Sequence, residues 1–235
     1  MGQRRHHEAQ QERYFEQDRH RYPSAAVVTP PIHTELELQH VLDLVRGLRG
    51  HGRIVDFGAG TGRLTVALAR DGHSVLAVDV SRSSLLELQA VASDLHLRDI
   101  EVATELPRER VAAVVGADVL HHVKLNVYLP RIHRVLREGG VAVFSEPGAF
   151  NPAWYVYLPL QHDMRVEARI VTCNLATLRR SFRKHGFRNV SIRGRGLLPR
   201  PVFGFGRTAC RRHDAIGNWP GARWFAYRYI VRAEK

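Results

Sequence analysis

From Arg53 to Ser145 short apolar runs alternate with amphipathic stretches, and this alternation constrains the fold more than any other feature of the chain. Arg53–Phe57, Ser74–Val80, Ile100–Thr104, Val111–Ala117 and Val141–Ser145 predict strands, and Val111–Ala117, apolar throughout, predicts one buried on both faces. Between them the spacing predicts helices over Arg63–Arg70, over Arg82–Leu97 with Ser81 as its cap, and over Val127–Arg137 with Pro130 in the first turn. A helix over Glu35–Leu48 precedes this series. A helix over Leu175–His185 and two late strands, Val190–Arg193 and Trp224–Val231, follow it. The expected fold class is α/β: a doubly wound, mostly parallel seven-stranded sheet with helices on both faces.

The 235 residues suit one domain of this kind. Residues 1–31 read as an N-terminal segment with a short helix near 8–20 and with Tyr14, Phe15 and Tyr22 set among charges. Residues 32–147 form the core, and 148–174 an insertion rich in aromatics and prolines. Residues 175–235 form the last part of the sheet, with a loop over 199–222. No apolar run reaches the ~18 residues of a membrane span. No apolar stretch follows the basic Met1–His7, so the reading is cytoplasmic. With only Cys173 and Cys210, neither a disulfide framework nor a metal cluster is expected.

The net charge of +12 is unevenly placed. Residues 1–168 hold 19 Lys and Arg against 21 Asp and Glu, whereas residues 169–235 hold 16 against only Asp214 and Glu234. The two parts therefore carry −2 and +14. A genome rich in Arg codons accounts for there being only three lysines, but not for the loss of acids. The basic third suits an anionic partner or a solvated surface.

Asp56-Phe57-Gly58-Ala59-Gly60-Thr61-Gly62 closes one predicted strand and opens a helix. Glycines there allow a tight turn and let a ligand meet backbone beside the positive end of a helix. The dinucleotide pattern Gly-x-Gly-x-x-Gly fails, because Arg63 stands at its third glycine, and no Walker lysine follows. Asp79, nineteen residues after Gly60, ends the second strand where a carboxylate can take two ribose hydroxyls. The pair points to a nucleoside-bearing ligand without a pyrophosphate.

With Ala77-Val78-Asp79, Gly116-Ala117-Asp118-Val119-Leu120-His121-His122-Val123 and Leu136-Arg137-Glu138-Gly139-Gly140 in order, the chain resembles the class I S-adenosylmethionine-dependent methyltransferases. Within these it is closest in kind to small-molecule enzymes such as those of ubiquinone and menaquinone biosynthesis. The resemblance covers residues 40–147 and implies a Rossmann-like methyltransferase fold. It implies S-adenosylmethionine as cofactor and S-adenosylhomocysteine as product. It places Asp56 at the methionine ammonium, Gly58, Ala59 and Gly60 against the aminoacyl and ribose parts, and Asp79 with Val80 at the ribose. Ala117 and Asp118 then lie beside the sulfonium, and Tyr14 belongs to a segment closing over the cofactor. The adenine contact after the third strand lacks the usual acid, leaving Thr104 or Glu105 in its place.

Methyl transfer needs an aligned acceptor and, for oxygen or acidic carbon, a proton acceptor. His121 and His122, just past the fourth strand, and Glu146, at the end of the fifth, are the candidates. A histidine at that place also serves as architecture, and Glu146 equally suits a loop anchor. His162 and Asp163 are secondary candidates in the insertion. The aromatics of Phe150–Leu160, with Phe203, Phe205 and Trp219 further on, suit an apolar acceptor. The expected activity is methylation of a small-molecule or lipid-like, partly apolar and anionic acceptor. An anionic membrane is a possible peripheral contact. The alternatives are an RNA or protein methyltransferase using the basic third on nucleic acid or protein, and a cofactor-binding protein that does not methylate.

Overall fold

A computed structural model describes residues 23–161, 168–199 and 206–235, with side chains described outside 157–161 and 168–169. Tyr14, Phe15, Tyr22, His162, Asp163, Phe203 and Phe205 lie outside the described residues.

The described helices are α1 (Ser24–Val28), α2 (Ile32–Val45), α3 (Arg63–Arg70), α4 (Arg82–Asp94), α5 (Leu125–Val135), α6 (Pro152–Gln161), α7 (Leu175–Lys184) and α8 (Arg207–Ile216). The strands are β1 (Ile54–Phe57), β2 (Val75–Val78), β3 (Ile100–Ala103), β4 (Val111–Ala117), β5 (Leu136–Pro147), β6 (Arg188–Arg195) and β7 (Arg228–Glu234). They form one sheet in the order β3-β2-β1-β4-β5-β7-β6. The first five are parallel, and β7 runs antiparallel to both β5 and β6. The seven-stranded, mostly parallel α/β sheet is the one expected.

Strand alternation divides the core between two faces. Val55, Val114, Ala142, Phe144 and Val231 pack with Leu129 and Ile132 of α5 and Leu178 and Phe182 of α7. Ile54, Ala113, Val115, Val143 and Ile230 pack with Leu38, Val41 and Val45 of α2 and Leu64 and Leu68 of α3. Adjacent strand residues point to opposite faces, so each apolar run supplies both layers. All parallel strands end on one side, where the connecting loops carry the polar residues considered below.

Four local readings are corrected. Pro130 lies in the second turn of α5, because Lys124 O accepts Val127 N and Tyr128 N and starts the helix earlier. The insertion contains α6, whose sequence is apolar nearly all round and so lacks the periodic contrast that marks a helix. The loop expected over 199–222 contains α8, and the strand expected from Trp224 begins at Arg228, after the short 3-10 turn Ala222–Phe225. The inner face of α8 is Cys210, His213 and Asp214, spaced i, i+3, i+4 but largely polar. Asp214 Oδ2 meets His40 Nε2 of α2 at 2.9 Å, so a side-chain hydrogen bond holds a face that apolar patterning cannot reveal.

Candidate active site

The turn after β1 is tied to β2 by backbone bonds from Gly58 N and Ala59 N to Val78 O, at 2.8 and 3.1 Å. Gly58 has φ +77°, and a Cβ there would collide with the side chain of Val119 in the loop after β4. Gly60, at φ +52°, has open space where a Cβ would be. The first glycine lets two loops close on each other, and the second leaves backbone accessible to a ligand.

Asp56 is 1% exposed. Its Oδ2 accepts Thr65 Oγ1 at 2.6 Å, while its Oδ1 is buried without a hydrogen-bond partner among the described residues. Burial pushes its carboxyl from near 3.8 up to about 7, against the opposing effects of the Thr65 bond and the Arg63 charge. Asp79 closes the other side of the turn: Oδ2 accepts Gly60 N at 2.7 Å and Oδ1 accepts Ser81 N at 2.9 Å. A carboxylate oxygen can accept more than one hydrogen bond, so these main-chain bonds do not prevent Asp79 from taking a hydroxyl. Val80 is exposed beside it, and Thr104 and Glu105 are exposed just after β3, whose Ala103 O accepts Asp79 N. The orphan oxygen, the open Gly60 and the Asp79 carboxylate fit a nucleoside ligand carrying an ammonium group.

Ala117 is the last residue of β4 and Asp118 follows in a left-handed conformation, φ +58°. Two arginines hold it: Arg63 at 2.9 Å on Oδ2 and Arg228 at 2.6 Å on Oδ1. Arg228, buried in β7, also reaches Glu37 Oε1 at 2.9 Å and Ser145 Oγ at 3.1 Å. Burial alone would raise the Asp118 carboxyl, but the two guanidinium charges outweigh it and hold it well below the usual range. The same partners hold Arg228 firmly protonated against the cost of its burial. Sequence reasoning missed Arg63, Glu37 and Arg228. The only early sign was an acid, Glu37, on the inner stripe of a helix.

The proposed acid-base residues separate. Glu146 is fully buried; its Oε1 accepts Val119 N and Leu120 N at 3.0 and 2.8 Å, and its Oε2 meets His121 Nδ1 at 2.8 Å. The Cys173 thiol, pushed up to about 12 by burial and by the nearby Glu146 carboxylate, donates to the same Oε2 at 3.7 Å. This is the geometry of a loop anchor, one of the two roles considered for Glu146. It fixes His121 as well. The His122 ring lies against that of His121, with centroids 3.9 Å apart and planes tilted by 44°, and retains partial exposure.

Residues 32–192 match the family model described as a methyltransferase domain. The chain belongs to this methyltransferase domain family. An ubiquinone biosynthesis O-methyltransferase of Bradyrhizobium diazoefficiens is 35% identical over 98 residues, which is 40% of this chain and 39% of that protein. An uncharacterized methyltransferase of Mycobacterium bovis is 37% identical over 90 residues, 37% of each chain. The matches thus span about two fifths of these curated relatives. A solved SAM-dependent methyltransferase from Archaeoglobus fulgidus aligns with a TM-score of 0.58 over 86% of this chain and 94% of its own, at 15% identity, which shows the shared fold. The methyltransferase fold and the family read from the four motifs are therefore those found.

Proposed function

We propose that this protein transfers a methyl group from S-adenosylmethionine to a small-molecule or lipid-like acceptor with an apolar body. The observation that carries the reading is the crevice at the ends of β1 and β2, where Asp56 Oδ1 is buried without a partner among the described residues and Asp79 brackets the glycine turn. When bound, the cofactor supplies a methyl group on a sulfonium, open to in-line attack. Asp56 receives the ammonium, and Asp79 orients the ribose hydroxyls. The loop after β4, pinned by Glu146 and carrying Asp118, forms the wall next to the reacting centre. His122 is the group with the exposure to accept an acceptor proton.

The acceptor side supports the apolar body. Of the large hydrophobic residues exposed among the described residues, Phe150, Tyr155, Val156, Leu198, Trp224 and Phe225 all belong to segments beyond the carboxyl end of β5. The test has two stages. Calorimetry should show binding of S-adenosylhomocysteine, and absence of binding would overturn the reading. Labelled S-adenosylmethionine incubated with a lysate should then deliver label to the organic-extractable fraction. Label appearing only in RNA or protein would overturn the acceptor class.

A further inference from the structure

We infer that the face formed by α7 and the segments around Asn151 docks on an anionic lipid bilayer, presenting the acceptor side to the membrane. This rests on the lipid-like acceptor proposed above. Asn151 is 1% exposed, and its Nδ2 donates to Leu197 O and Phe225 O, each at 2.7 Å. One nitrogen therefore gathers three segments, and the neighbouring side chains Phe150, Leu198, Trp224 and Phe225 all stand exposed by 44% or more. These apolar groups form a cluster on a single loop junction.

The cations adjoin this cluster through the chain itself. Ala149 N bonds Cys173 O at 3.0 Å, and the next residue, Asn174, caps α7. Leu178 and Phe182 of α7 are buried against the sheet. The outer side, Ala176, Arg179, Arg180, Arg183 and Lys184, lines an open groove of about 500 Å³. Arg179 Nε is buried there without a hydrogen-bond partner among the described residues. At 1.5 Å per residue, Arg179 and Arg180 lie about 6–8 Å along the axis from the start of α7. The charges thus begin within about a turn and a half of the end of α7 at which Cys173 bonds Ala149, the residue before Phe150.

The combination selects the occupant. A nucleic acid duplex is met through its phosphates by cations and would leave the apolar cluster uncovered, and a single strand stacking on the aromatics is the competing outcome that the RNA arm of the test reads. Tryptophan and arginine together suit the boundary of a bilayer, where rings enter the headgroup layer and guanidinium groups meet lipid phosphates. The groove on α7 has room for such a headgroup, and residues 169–235, with 16 cations and two acids, carry the complementary sign.

Vesicle flotation tests this with the full chain. Vesicles with equal parts phosphatidylglycerol and phosphatidylcholine should bind the protein at least about tenfold more tightly than phosphatidylcholine alone. Arg179→Glu with Arg183→Glu should lower binding on the order of twentyfold, since each cation near an anionic surface contributes about fivefold. Trp224→Ala with Phe225→Ala should also weaken it and, with the exposed Trp219 first removed by Trp219→Phe, should reduce fluorescence quenching by brominated lipid, because the remaining Trp154 is buried against Tyr227. Equal binding to both vesicles, an unchanged double reversal, or tighter binding to RNA or an acidic protein than to vesicles overturns the proposal. Calorimetry with S-adenosylhomocysteine separates the two readings. Intact cofactor binding without vesicle binding sinks the docking face alone, whereas vesicle binding without cofactor binding sinks the methyltransferase reading.

Discussion

The parallel half of the sheet and its antiparallel C-terminal part are stabilised differently. Around β1, β2 and β4 the site is backbone and short-range carboxylate bonds: Gly58, Ala59, Gly60 and Ser81 all donate main-chain N–H groups within a single crossover. From β7 the link is a long-range charge: Arg228 reaches Asp118 across 110 positions. The first half therefore tolerates change at its surface but not in its turn. The second half delivers one buried cation on which two acids depend.

Breaking that cation should have the largest effect. Arg228→Met leaves the buried Glu37 and the partly exposed Asp118 with one counter-charge fewer, and should cost about 3–5 kcal/mol in denaturant unfolding, mostly through Glu37. Adding Asp118→Asn and Glu37→Gln should recover part of this loss, because the uncompensated charges go with the arginine. Recovery of nothing would mean that Arg228 acts through packing beside Trp154 rather than through charge.

The next effect concerns Asp56 in the parallel half. Its carboxyl lies near 3.8 in an unfolded chain and about 7 when folded, so the folded state holds the extra proton between these values. Stability contributed by this group is greatest below about pH 4, falls as pH rises towards 7, and is flat above. Ligand affinity should run the other way, because an ammonium needs the ionised carboxylate. S-adenosylhomocysteine affinity should rise by up to about tenfold per pH unit between pH 5 and 7, then level off, and Asp56→Asn should flatten this rise. A flat wild-type profile would remove the ammonium from Asp56.

These two residues also show what the sequence made legible. Asp56 was found because it sits in a local pattern: an acid, a glycine turn and a helix start within seven positions. The strands β1, β2 and β4 were found because each buries two faces and so is almost wholly apolar, whereas the edge strand β3, partly exposed, is marked mainly by its place in the alternation. Arg228 was invisible because one arginine in a basic stretch looks like a solvated one, and its partners belong to β4 and α2. The helix α8 was hidden for a related reason: its inward face uses Cys210, His213 and Asp214 where an apolar stripe would be expected. Glu146 reads from the sequence as a residue facing the crevice, but it is fully buried, and its role depends on the Val119 and Leu120 amides, which only folding brings to it.

Asp79→Ala should be next in size, weakening S-adenosylhomocysteine by about 1.5–3 kcal/mol because a charged acceptor of hydroxyls is lost and Gly60 N and Ser81 N are released. Calorimetry on a folded variant with unchanged affinity would end the ribose assignment.

The smallest effect compares equivalent caps in the two halves. Ser81 Oγ accepts Ser84 N at the start of α4, and Asn174 Oδ1 accepts Thr177 N at the start of α7. Ser81→Ala and Asn174→Ala should each cost about 1 kcal/mol of stability. Neither should move S-adenosylhomocysteine affinity by more than about twofold, since Asp79 is bonded by the Ser81 main-chain N–H, which alanine keeps. If Ser81→Ala instead weakened the ligand as much as Asp79→Ala, the carboxylate would owe its position to the helix cap rather than to the turn. The parallel half would then depend on a side-chain contact in the way that the C-terminal part depends on Arg228.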